Sequence, residues 1–289
     1  MNLKPARFTW KQAVWPVLFL GWCHLGAGAD GPDFRNVSVR SVSISENRGA
    51  LSNCVVQLAF SGAALNPYMG ILGTRVTRAV DDLGTDLRLD SPRPAGWGVG
   101  GDASLSPLRG WFDLNARRQR HSAVTLRAAP RAARTIKVLE GALDLYSPTL
   151  ANGGVVICTN FCATPGILFS NAALAKLQIR LTCHTKASFA AAQPTRHNQL
   201  FPDLPGEPPD APRNYLVFEV VDPDQLIVAF AFHEPGGKFL PAPSRRADHG
   251  LHGFYFGTIL PASLNLYVYL GVPTAIDALP FQLENLPLP

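Results

Sequence analysis

The sequence predicts an all-β protein made of two tandem antiparallel β-sandwich domains, and three observations lead there. Short β-branched or aromatic runs alternate with Gly, Pro and Asp clusters along the chain. Helix signals are scarce: only 170–180 reads helical, and Leu177–Leu181 within it alternates like a strand. An ordered pattern of strand, proline, strand and glycine occurs twice. The composition agrees, with 47% hydrophobic residues, 16% charged, 25 Gly and 25 Pro in 289 residues. That is too apolar for a disordered chain, too rich in Gly and Pro for a coiled coil, and without the glycine period of collagen. The length accommodates two ordinary domains.

The first element is a targeting signal. Residues 1–29 carry Lys4, Arg7 and Lys11 and no acid, then an apolar run from Ala13 to Gly21, then Ala27-Gly28-Ala29. A basic n-region, a short h-region and an A-x-A site define a secretory signal peptide cleaved before Asp30. The run is about half of the ~20 residues that a membrane span needs. The signal contributes three of the chain's five net positive charges. The mature chain is therefore near neutral, lacks the dense basic face that nucleic acid requires, and is expected to have no transmembrane segment.

Strands are expected at Val37–Ile44, with a phase slip near Arg40-Ser41 that marks a bulge or a change of sheet. Others are expected at Val55–Phe60, Gly73–Val80, Ser122–Arg127, Thr135–Tyr146, Val155–Ile157, Tyr215–Val221, Leu226–Phe232, Gly253–Leu260 and Leu264–Leu270. Tyr215–Phe232 is nearly long enough to span a bilayer, but Glu219, Asp222, Pro223 and Asp224 interrupt it. The expectation is a hairpin about an Asp-Pro-Asp turn. Pro194–Pro212 holds six prolines and reads as an extended connector.

The repeat divides the chain. Val124–Ala129, Pro130, Ile136–Glu140 and Gly141 are echoed by Tyr255–Leu260, Pro261, Leu266–Leu270 and Gly271. Arg78–Leu87 is likewise echoed by the acidic turn in Val220–Leu226. The predicted domains are 30–150 and 151–289, with the boundary near Tyr146–Gly153, where Ser147-Pro148 and Asn152-Gly153-Gly154 break the chain.

Three short marks carry a resemblance. They are the acidic hairpin Asp81-Asp82-Leu83-Gly84-Thr85-Asp86-Leu87, the strand ending Leu139-Glu140-Gly141, and the closing segment Pro280-Phe281-Gln282-Leu283-Glu284-Asn285-Leu286-Pro287-Leu288-Pro289. On these the chain resembles uncharacterised exported bacterial proteins built of tandem Ig-like β-domains. The resemblance implies an Ig-like fold and export. It implies no activity, and the second acidic turn departs from the mark, having Pro223 and Gln225 and no glycine.

Cys54, Cys158, Cys162 and Cys183 remain after the signal. An even count in an oxidising compartment reads as disulfides, with three pairings open. Zinc held by Cys158, Cys162, Cys183 and His184 is the sharper alternative, weakened by loose spacing. Asp81, Asp82, Asp86 and Asp90 could supply calcium ligands, but a tight turn demands the same residues for its backbone. His249 and His252, with His233 or Asp248, have metal-ligand types on a turn rather than a helix. The structural reading is preferred for each, so no metal and no cofactor is expected.

The excursion Ser91–Phe112 carries Trp97 and Trp111, the two tryptophans of the mature chain, and is the candidate ligand-binding surface. Arg117, Arg118, Arg120 and His121 form a short basic run beside it. No G-x-S-x-G, H-E-x-x-H, P-loop or dinucleotide glycine motif occurs. The expected role is that of an exported, non-catalytic structural or interaction module of the periplasm or cell envelope, with an envelope protein or polysaccharide as partner. The alternatives are a carbohydrate-binding module using the Trp97/Trp111 loop and a hydrolase with its site between the two domains.

Overall fold

In the computed structural model, the residues described are 37–47, 52–89, 121–194, 215–240, 242, 244–248, 250–256, 258–261 and 263–289. They are mostly β, in antiparallel sheets, with two short helices. Alternating apolar residues explain the first core. β1 (Ser38–Asn47), β2 (Asn53–Ser61) and β4 (His121–Arg127) form one three-stranded sheet in the order β1-β2-β4. β3 (Gly70–Asp81), β5 (Thr135–Tyr146) and β15 (Ile276–Pro287) form a second, in the order β15-β5-β3. Cys54, Val56 and Leu58 of β2 and Val124 and Leu126 of β4 share one core with Ala79, Ile136, Leu139, Leu143, Leu279 and Phe281. Side chains of period two from both sheets thus bury against each other. The phase slip in β1 is a bulge: the register shifts between Ser41 and Ser43, Val42 is turned outward, and the strand stays in one sheet.

The second core lies between two larger sheets. One runs β7 (Leu168–Phe169), β8 (Arg180–Thr185), β9 (Tyr215–Val221), β13 (Leu251–Tyr255), β12 (Ser244–Asp248). The other runs β6 (Val155–Cys158), β14 (Asn265–Leu270), β10 (Ile227–His233), β11 (Phe239–Leu240). Phenylalanine fills the gap between them. Phe218 stacks on Phe230 at 5.4 Å, and Phe254 meets Phe232 edge-on at 5.0 Å, geometries that the aromatic quadrupole favours. The expected hairpin at 215–232 is corrected here. β9 pairs with β8 and β13, whereas β10 pairs with β11 and β14. The Asp222 turn therefore carries the chain from one sheet to the facing one, and β10, covered on both faces, is apolar at nearly every position. The segment read as both helix and strand contains both. Asn171 caps α1 (Ala172–Lys176) through Ala173 and Leu174, and β8 follows. α2 (Lys186–Ala192), capped by Thr185, was not expected.

The pairing order of the first half recurs in the second. β1-β2-β4 facing β15-β5-β3 corresponds to β8-β9-β13 facing β6-β14-β10. The Pro130–Gly141 and Pro261–Gly271 segments occupy matching connections in this scheme, β4 to β5 and β13 to β14. The two acidic turns do not: Asp81 ends β3, and Asp222 lies between β9 and β10.

The second core is inserted between two strands of the first. After β5 the chain crosses to the second core, where β6 pairs with β14. After β14 it crosses back, where β15 pairs with β5 over nearly its whole length. β15 lies inside the 151–289 stretch but packs Leu279 and Phe281 into the first core. Pro280 sits in β15 because that strand is at the edge of its sheet. Backbone bonds join the two crossings: Ser147 N–H donates to Ala275 O at 2.9 Å, and Leu270 N–H donates to Gly154 O at 2.8 Å. Thr274 Oγ1 donates to Asn152 O at 2.6 Å. Tyr146 ends β5 with no exposed surface and belongs to the second core. Its hydroxyl donates to Leu270 O at 3.0 Å and lies 3.3 Å from Gly154 O. The described residues fall in one compact unit.

Two stability predictions follow from this geometry. Tyr146→Phe keeps the ring but strips a buried donor from the crossing, so the urea midpoint should drop by the equivalent of about 1–3 kcal/mol; an unchanged midpoint would remove the hydroxyl from the account. Gln225 stands at φ 54, where Gly84 stands at φ 84 in the other acidic turn. Gln225→Gly should therefore raise thermal stability by about 0.5–1 kcal/mol, and Gly84→Ala, with open space around it, should lower it by a similar amount.

Candidate binding cleft

A cleft of about 450 Å³ opens at one end of the first core, lined by Ser52, Thr85, Asp86, Leu87, Arg127, Ala128, Ala129, Pro130 and Arg131. Its size falls within the range of small-ligand sites. The proline corner forms one wall, closed by a bond from Ala133 N–H to Pro130 O at 2.9 Å. The acidic turn forms the other, and Arg127 N–H ties them by donating to Leu87 O at 2.7 Å.

The turn is built by its own carboxylates. Asp81, without exposed surface, accepts from Leu83 N–H at 2.9 Å and Thr85 N–H at 2.7 Å through Oδ1. Asp82 accepts from Arg134 N–H at 3.1 Å, which pins the turn to the start of β5. Asp86 makes a two-pronged pair with Arg88: Nη2 to Oδ2 is 2.6 Å and Nε to Oδ1 is 3.0 Å. The Arg88 hydrogen bonds hold the Asp86 carboxyl down at about 2. These bonds give Asp81, Asp82 and Asp86 structural work in the turn. Asp90 lies outside the described residues. The mouth thus carries a fixed carboxylate, two arginines and two hydroxyls over an apolar floor, a set suited to a hydroxyl-rich or anionic group.

Sequence reasoning singled out the turn but missed Ser52, Arg127 and Arg131. The available signal was the proline corner after β4, which was read only as a repeat mark. Trp97, Trp111, Arg117, Arg118, Arg120 and His249 lie outside the described residues. In sequence, the segment that carries both tryptophans follows Leu89, two residues after Leu87 of the cleft lining. His121 is exposed on β4, and His252 is buried on β13 against Phe230. His233 Nδ1 lies 3.2 Å from Gly237 O. Among the described residues no cluster of His, Cys, Asp and Glu could hold a metal ion.

The expectation of disulfides needs correcting. Cys54, Cys158, Cys162 and Cys183 are free thiols in the structure. Cys54 belongs to the first core, whereas Cys158 and Cys183 belong to the second, with Cys162 packed against it. Two bridges cannot form from thiols divided one and three. Burial, with Glu46 adding to it, pushes the Cys54 thiol up to about 11, and burial pushes Cys158 up to about 12. Both behave as small apolar side chains.

His184, adjacent to Cys183, turns to the opposite side of β8 and meets Phe189 of α2 edge-on at 5.6 Å. Its Nε2 is 3.9 Å from Glu219 Oε2, and neither ring nitrogen has a hydrogen-bond partner. Burial holds the imidazole below its ordinary range, although Glu219 pulls it upward. No family model, curated protein or solved structure matches the chain. No helix among the described residues is long and apolar enough to cross a membrane.

A pH dependence follows. The unfolded chain takes up a proton at His184 as pH falls through about 6.5, whereas the folded chain resists it. The unfolded state then binds more protons, so the stability contributed here is full above that pH and is lost below it. Urea midpoints at pH 7.5 and pH 5 should differ less in His184→Phe than in the wild type; an identical difference would exclude His184 as a source.

Proposed function

We propose that the chain is an exported, non-catalytic interaction module of the periplasm or cell envelope, with two Ig-like sandwiches in tandem. The recurrence of one pairing order in both halves supports the tandem reading. Its contact surface is the cleft between the acidic turn and the proline corner, together with the excursion that leaves it. The observation that carries this is the meeting of Asp86, Arg127, Arg131, Ser52 and Thr85 around one cleft at the root of the segment bearing Trp97 and Trp111. Sheets hold the cleft, and binding residues on such scaffolds commonly lie on the connections between strands. The chemistry of the mouth favours an envelope polysaccharide carrying hydroxyl and acidic groups.

The test begins with expression of residues 1–289 in a bacterial host. Intact mass should show a product outside the cytoplasm that begins at Asp30. That product has two tryptophans, so its fluorescence reports on the excursion. Titration with acidic and neutral glycans should give a saturable change for the acidic ones. Arg127→Ala and Trp97→Ala should each weaken it by about tenfold, the scale of one lost charged or aromatic contact. Cytoplasmic retention with an intact leader would overturn export. A response unaffected by either substitution would overturn the cleft.

A further inference from the structure

Cys162 packs against the core that contains Cys183, and its thiol acts electrostatically on that of Cys183. The backbone holds them together from three directions. Asn160, in the left-handed region at φ 51, starts a turn closed by Ala163 N–H donating to Asn160 O at 2.9 Å. Phe161, next to Cys162, packs on Phe218 at 5.6 Å, and Phe218 is the register partner of Cys183 across β8 and β9. Beyond Cys162, Gly166 N–H donates to Cys183 O at 2.8 Å. The segment 160–166, which leaves β6 of one sheet, is thus clamped over β8 of the facing sheet on both sides of Cys162.

We propose that Cys162 and Cys183 are a reversible redox pair whose oxidation links the β6 loop to β8 and so staples the two sheets of the second core. The two thiols differ in access: Cys162 is half-buried, and Cys183 is buried. Cys162 is therefore the entry point. Its thiolate attacks a small-molecule disulfide such as oxidised glutathione, forming a mixed disulfide and releasing one glutathione thiolate. The Cys183 thiolate then attacks the Cys162 sulfur, forming the protein disulfide and releasing the second. The two thiol protons pass to the departing thiolates, so two protein thiols are oxidised and one glutathione disulfide is reduced to two thiols. The neighbouring Cys162 thiol raises the Cys183 thiol well above its ordinary range, with burial acting in the same direction. That makes the second step the slower one. The chemistry is independent of export; only the compartment in which it would operate rests on that reading.

The experiment uses the reduced full chain, folded, with oxidised glutathione as the probe. After quenching, unfolding and alkylation, peptide mapping scores each of the five cysteines. The expected result is loss of Cys162 and Cys183 as one linked peptide pair while Cys54 and Cys158 stay alkylated; Cys23 is scored on its own peptide. The loop closed runs from 162 to 183, so the melting temperature should rise by roughly 5–10 °C and return on reduction. Cys162→Ser should abolish both the linkage and the shift. Cys183→Ser, where it folds, should stop at a glutathione adduct on Cys162. Retention of both thiols in the folded wild type, or a linkage through Cys54 or Cys158, would overturn the proposal. Because the oxidation is performed on purified protein, its failure is distinguishable from a failure of export.

Discussion

The first core of this protein is not completed by its own consecutive chain. The sheet built on β5 takes its outer strand, β15, from beyond the whole of the second core, whose strands β6 to β14 are consecutive. Everything else is arranged around the two crossings that this insertion demands. They run close together, so their carbonyls and amides must satisfy one another in a buried place. The bonds Ser147 to Ala275 and Leu270 to Gly154 do this, and the Tyr146 hydroxyl covers carbonyls on both crossings. Tyr68, through its 2.8 Å bond to Asp277, fixes the start of β15 on the other side. The return of β15 ties the second core to the first at both ends of the inserted chain, a closer coupling than one linker would give.

β5 is the strand on which that coupling rests, and the three marks of the sequence converge there. The acidic turn bonds to its first residue, Asp82 N–H donating to Thr135 O at 3.1 Å. Gly141 lies at its middle, opposite Phe281 of β15 and Val76 of β3. A side chain at Gly141 would collide with the Arg75 carbonyl and the Phe281 ring, so glycine is needed for close approach. Leu283 and Leu286 of the closing segment fall opposite Leu139 and Ile136. Marks that lie far apart in sequence are thus the contact points of one three-stranded sheet.

Much of this was legible in the residues and some could not be. Alternation of period two placed most strands within a residue or two, because burial on one face imposes it. β15 is absent from the expected strands, where the closing segment stood only as a mark of the resemblance; its Pro280 is tolerated because the strand lies at the sheet edge. The 215–232 turn was misread because an acidic turn looks the same whether it closes a hairpin or passes between facing sheets; that choice depends on partners elsewhere in the chain. The cysteines were read as disulfides by count, but the two cores separate Cys54 from the other three. The cleft was half legible: Asp81 to Asp86 stood out, whereas Arg127 and Arg131 gained meaning only when β4 and the proline corner were seen against the turn.

The interlock is the claim on which the account depends most, and native-state hydrogen exchange tests it directly. Peptides covering β2 and β4 report on the first core, and peptides covering β9 and β13 report on the second. Two bonded crossings and the returning β15 predict that their slowest amides open with the same free energy and the same dependence on urea, in one cooperative event. Slowest amides in one core that exchange several orders of magnitude faster than those in the other would show two independently unfolding bodies, and would contradict the crossings and β15 as the element that holds the protein together.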